Sequence, residues 1–171
     1  HPMCIRDRDE PMSWGAFMTS LPRIQKAGYV PIAVGGQDWQ ETLLFDHVAL
    51  GAGGPQYFRE LLDGNMDTID SDDTTRVFAA MRTLVPYTDA GKAGRGWGDT
   101  NNLVITGKAA FFFMGDWAKG GFLQANKTPG EDFSCHISPG SGMVLTAVDG
   151  FAFPKTSSSS DQAIQGKLAS A

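Results

Sequence analysis

Cysteine is scarce, with two in 171 residues, Cys4 and Cys135. No group of Cys and His has the spacing of a zinc motif, so no metal site is expected. Long apolar runs are missing as well. The longest, such as Ala109–Met114, fall far short of the length that crosses a bilayer. Cations are outnumbered: 14 Lys and Arg against 19 Asp and Glu give a net charge of −5 with the histidines neutral. That balance argues against a nucleic-acid or anionic-membrane surface. No Ser sits in a G-x-S-x-G elbow, so a hydrolase triad has no support. Internal repeats are absent, and the one low-complexity stretch, Ser157–Ser160, suits a helix N-cap better than a linker.

What is present suffices for a core. Hydrophobic residues make up 42%, charged residues 19%, and the aromatics number 11 Phe, 4 Trp and 3 Tyr. Disorder is thereby excluded, and the length suits one domain or a piece of something larger. His1–Arg8 has neither an amphipathic period nor the apolar stretch of a signal peptide. Met3–Arg8 looks like a translated transposon-end sequencing adapter, so residues 1–8 are set aside from the fold as a non-native scar. Asp161–Ala171 reads as a helix that stops mid-pattern, and the chain as an internal fragment.

Periodicity gives a mixed chain. Ser13 reads as the N-cap of a helix carrying Trp14, Phe17, Leu21 and Ile24, which Gly28 closes and Pro22 should kink or shorten. Tyr29–Val34 reads as a short buried strand, at an edge because of Pro31. Helices are expected over Asp38–Leu50, Gln56–Leu62 and Asp72–Leu84, the last with Val77, Phe78, Met81 and Leu84 on its apolar side. Gly91–Gly98 reads as a loop carrying Trp97, followed by one or two helical turns in Asn101–Ile105. Lys108–Met114 is a strand buried on both faces, Ala118–Ala125 a short helix, Phe133–Ile137 and Leu145–Phe153 strands, and Ser157–Ala171 a final helix. The order gives an α/β class in which helices predominate.

Several motifs invite chemistry. Gly51-Ala-Gly-Gly54 and Gly94–Gly98 match neither phosphate-loop pattern, and turns explain them better. His47, beside Asp46, has no second His four residues away, which suits a surface or core-edge histidine better than a metal ligand. Cys135 reads as a buried thiol, or as half of a disulfide whose partner lies beyond residue 171. The tryptophans are more informative. Trp39, Trp97 and Trp117 lie at element ends, each beside a carboxylate: Asp38, Asp99 and Asp116. A flat ring next to oxygen acceptors suits a pyranose, whose C–H face stacks while its hydroxyls donate. Two other readings stay open at this point: tryptophans that pack the core edge, and a glycosidase using paired carboxylates as acid and base.

The blocks Pro11–Trp14, Ala27–Gln40 and Gly107–Ala118, with Asp132-Phe133, Pro139-Gly140 and Val148–Lys155, carry a likeness. They resemble the bacterial extracellular solute-binding proteins of sugar ABC transporters, nearest the glucose- and monosaccharide-binding branch. The most specific is Gly-Lys-Ala-Ala…Met-Gly-Asp-Trp, and the likeness covers roughly residues 10–171.

The resemblance implies a periplasmic-binding-protein-like type II fold of two α/β lobes with ligand in the cleft. Residues 9–139 would be most of the helix-rich C-terminal lobe. Residues 140–171 would be the crossover and the start of the return to the N-terminal lobe, with Val144–Lys155 as the crossing strand. It implies a monomer without cofactor or metal, periplasmic or extracellular, with or without a lipid anchor, that delivers a sugar such as glucose to a membrane permease. Trp97 and Trp117 would sandwich the sugar ring and Asp149 would bind hydroxyls, with Gln37, Asp38 and Trp39 as weaker candidates. Gly150 stands where the family usually has Ser, which removes one hydroxyl partner. The rival enzyme would use Asp116 and Asp149 as its acid and base.

Overall fold

The computed structural model describes residues 3–5, 13–147 and 149–170. The strands are β1 (Met3–Ile5), β2 (Val30–Ala33), β3 (Ala109–Phe113) and β4 (Ser134–His136). They form a four-stranded sheet in the order β2-β3-β1-β4. β2 runs parallel to β3, while β1 is antiparallel to both β3 and β4. Pro31 therefore sits on an edge strand, as its missing N–H requires. Met3–Ile5, within the stretch set aside from the fold, fill an interior slot of the sheet with their backbone. Residues 6–8 lie outside the described residues.

Helices cover both faces. β3 is apolar throughout, so alternate residues supply each side. Phe111 and Phe113, with Ile32 and Val34, join one core cluster with Phe17, Leu21, Leu44, Val48, Val77 and Leu84. These come from α1 (Trp14–Lys26), α2 (Asp38–Val48) and α5 (Asp72–Leu84). Phe17 meets the rings of Phe111 and Phe113 edge-on at 5.3 and 5.5 Å, contacts that contribute about 0.5–1.5 kcal/mol each beyond their area. On the opposite face Ala33, Phe112 and Met114 pack with Val104, Ala118, Phe122 and Phe133. That layer is built from α6 (Trp97–Ile105) and α7 (Ala118–Gln124). The remaining helices are α3 (Pro55–Leu62), α4 (Met66–Ile69) and α8 (Ser159–Ala169). No described helix is long and apolar enough to cross a membrane.

Local chemistry explains most boundaries. Ser13 accepts from the Ala16 amide and caps α1, and Ser71 does the same for α5 through Thr74. Asp72 and Asp73 occupy the first turn of α5, where the helix dipole favours negative charge. Four expectations change. α1 runs through Pro22 to Lys26, held by the fully buried Leu21 and Phe17. Phe78 is 58% exposed rather than buried with the apolar side of α5, and its ring lies tilted against Phe45 at 5.4 Å. His47 is fully buried against Phe113, since α2 turns that face into the core. The described residues between 145 and 153 form no strand and are not part of the sheet. Cys135 is half-buried on β4, opposite Cys4 in the register.

Candidate functional site

The groove between α6 and α7 brings two of the candidate residues together. Its cavity volume is about 640 Å3, and its lining includes Trp97, Asp99, Asn102, Trp117 and Gln124. Trp97 and Trp117 are 38% and 41% exposed, so both reach the surface of the groove. The lining does not include Gln37, Asp38, Trp39 or Asp149.

Each tryptophan is placed by its element. β3 delivers the chain to the buried Met114, after which Gly115 and Asp116 turn it into α7. The Trp117 ring folds back over Gly115, where any Cβ would collide with it. Only glycine permits that ring position. On the other side of the groove, α6 starts at Trp97 itself, one turn earlier than the sequence suggests. The expected glycine loop is thus shortened, and its remainder winds into a 3-10 turn over Lys92–Gly94.

α6 and α7 touch closely. The Asn101 amide donates to the Ala118 carbonyl at 3.1 Å, and a Cβ on Gly121 would lie 2.6 Å from that same amide nitrogen. Asn101 is 2% exposed, so it fixes the spacing of the groove's two walls.

A polar relay attaches the Trp97 end to the β2–α2 loop. The Gly35 amide donates to Gln40 Oε1 at 3.2 Å, and Gln40 Nε2 donates to Gln37 Oε1 at 2.9 Å. The same oxygen accepts from the Trp97 amide at 3.0 Å. The Gly36 amide donates to the Arg95 carbonyl at 3.1 Å. Lys92 pairs with Glu41 at 2.7 Å, and Arg95 with Asp89. Gln37 therefore touches the candidate site through Trp97's backbone. Asp38 and Trp39 begin α2, with Trp39 39% exposed.

Asp149 is exposed in a segment without regular structure, and Asp116 is exposed in the turn before α7. Asn101 and Gln40 were missed by sequence reasoning. The available signal was an amide on a buried face: Gln40 falls in helical register with Leu44 and His47, and Asn101 with Val104. No group of three or more His, Cys, Asp or Glu that could hold a metal occurs among the described residues.

Comparison with known proteins gives a consistent result. The family described as bacterial extracellular solute-binding protein matches residues 6–165. A probable sugar-binding periplasmic protein of Brucella suis is 42% identical over 149 residues, covering 86% of this chain and 35% of its own. A protein of the same description from Mesorhizobium japonicum is 40% identical over 144 residues, covering 83% and 34%. The chain thus spans about a third of the length of these relatives. Among solved structures, the bacterial solute receptor AcbH, described as exclusive for β-D-galactopyranose, superposes with a TM-score of 0.68 at 23% identity. It is covered to 37%, against 82% of this chain. RafE in complex with raffinose superposes at 0.62 with 15% identity, over 82% of this chain and 40% of RafE. At such identities the superpositions show the fold: that of the periplasmic binding proteins.

Proposed function

Given that this chain belongs to the bacterial extracellular solute-binding proteins, we propose that it is part of a periplasmic sugar receptor of an ABC transporter. The α6–α7 groove is one wall of the sugar site. The observation that carries this reading is the pairing of two half-exposed tryptophans across one groove, with amide and carboxylate side chains between them. Rings of that kind stack on the C–H face of a pyranose at about 0.5–1.5 kcal/mol each beyond area. Neighbouring oxygens read the hydroxyls, and reject analogues lacking one because the site's own polar groups are then left unpaired. The names of the relatives support a sugar and a periplasmic setting.

The ligand in this reading is a monosaccharide such as glucose, held between this wall and a second lobe. Asp149 would contribute on closure, as would Asp38 and Trp39 at the start of α2. Sugar touching both lobes favours the closed form, which the permease recognises. The receptor works as a monomer and needs no cofactor. The glycosidase alternative is dropped: the family and the curated relatives are solute-binding proteins, not enzymes.

The test is a tryptophan-fluorescence titration of the full-length protein that carries this sequence. Glucose, galactose, mannose, xylose and maltose would be run against wild type and Trp117→Ala. A saturable, sugar-selective change at micromolar ligand, lost in the variant, is expected. A flat response to every sugar would overturn the reading.

A further inference from the structure

We propose that Gln40 and Gln37 form a positioning relay that sets Trp97 against the sugar ring, with Gln37 acting through Trp97 and not by touching ligand. The inference rests on the sugar-binding reading above and adds to it how one of the two rings is held.

The polarity of the relay is imposed from one end. A peptide N–H only donates, so the Gly35 amide requires an acceptor, which fixes Gln40 Oε1 toward it. Gln40 Nε2 is then left facing Gln37 and can only donate, so Gln37 must present Oε1. That oxygen has a second acceptor position, and the Trp97 amide takes it. Gln40 is 2% exposed, so its amide has no water to fall back on. Turning any member over would set donor against donor or acceptor against acceptor.

Packing locks the first member. A Cβ on Gly35 would lie 2.6 Å from the Arg95 carbonyl and closer still to the Gln40 amide. The relay ends where it matters for the groove. Trp97 is the first residue of α6, so its N–H has no partner within the helix. Gly96, at the N-cap position, has no side chain to supply one. Gln37, 60 positions earlier in sequence, does so. The Gly36–Arg95 bond and the Lys92–Glu41 pair brace the loop leading into Trp97. A ring that would otherwise ride on a glycine-rich loop is thereby tied to the rigid β2–α2 corner.

The experiment uses the full-length protein and two readouts: the exchange rate of the Trp97 backbone amide, by NMR, and sugar affinity. Gln37→Ala should speed Trp97 amide exchange at least tenfold, leave the Thr106 amide at the far end of α6 unchanged, and weaken sugar binding about tenfold. Gln37→Glu keeps an acceptor oxygen and adds a charge favoured at a helix N-terminus, so it should restore both readouts. In a Trp97→Ala background, Gln37→Ala should cost less than a further twofold, because its effect runs through the missing ring. A Trp97 amide that exchanges equally fast in wild type and Gln37→Ala overturns the relay. A full, additive tenfold loss in the Trp97→Ala background overturns it too, and makes Gln37 a direct sugar contact. If wild type answers to no sugar, the sugar-binding reading fails, and the amide exchange alone decides whether the relay holds Trp97.

Discussion

His47 enters the core fully buried, with its ring 4.9 Å from that of Phe113 and its Nδ1 hydrogen-bonded to Ser138 Oγ. Burial disfavours the charged imidazolium and pushes its pKa from 6.5 down to about 3. The unfolded chain therefore takes up a proton below about pH 6.5 that the folded chain refuses until about pH 3. Stability is whole above that window and falls as pH drops through it, by up to about 1.4 kcal/mol per pH unit. Urea midpoints measured from pH 7 to 4 should fall more steeply for wild type than for His47→Gln; parallel slopes would refute the assignment. At the groove, Gly115→Ala sets a methyl group into the Trp117 ring. It should weaken sugar binding by an order of magnitude or more with a smaller change in melting temperature, checked by titration beside a thermal melt. Trp97 and Trp117 stand out in sequence as aromatics beside an acid near an element end, a pattern that suits a stacking surface as well as the edge of a core. Gln40 and Asn101 do not, because their importance lies in partners distant along the chain. Asn101 bonds a carbonyl 17 positions away, and the acceptor that Gln40 feeds also holds an amide 60 positions from it.

At the level of elements, the misreadings share a cause: tertiary packing overrode a local signal. Proline inside a helix forfeits one hydrogen bond and crowds the preceding turn. α1 nevertheless continues past Pro22, since Phe17 and Leu21 on its other face are fully buried. Pro22 itself is exposed. Pro22→Ala should therefore restore the missing bond without disturbing the core and stabilise the protein by about 1–3 kcal/mol, read as a higher urea midpoint. A lower midpoint would mean that the proline's restraint on the unfolded chain outweighs the bond. Trp97 was placed in a loop because three glycines surround it; Gln37 supplies from outside the amide acceptor that lets α6 begin there. Leu145–Phe153 reads as a strand, but a strand exists only beside another, and the described residues of this segment pair with none. Buried runs such as Ala109–Phe113 were legible because an apolar run this short, with Gly107 and Gly115 on either side, suits a strand buried on both faces better than a helix.

On the scale of the whole molecule, the C-terminal stretch of the sequence keeps several large apolar side chains exposed. Phe151 is 87% exposed, Val144 62%, Ile164 64% and Leu168 59%, and α8 buries no residue. Exposed apolar groups of this size mark surface that another body covers, and the relatives run to about three times this length. The 171-residue chain alone should bind the dye ANS, and the full-length protein should bind much less. Equal dye binding would show that this surface stays open in the whole protein.

The sheet order also dictates a timetable for synthesis. Met3 faces Phe113 on one side and His136 on the other, so β1 leaves the ribosome with both of its sheet partners more than a hundred residues behind it. Until His136 has emerged, β1 lacks the partner that β4 supplies. β2 and β3, whose register joins Val30 to Ala109, can meet earlier, with α1, α2 and α5 already at hand to cover them. Closing long loops is slow. Insertion of β1 between β3 and β4 is therefore the late event, and the interval before it is when this chain is most open to pairing with a neighbour of its own kind.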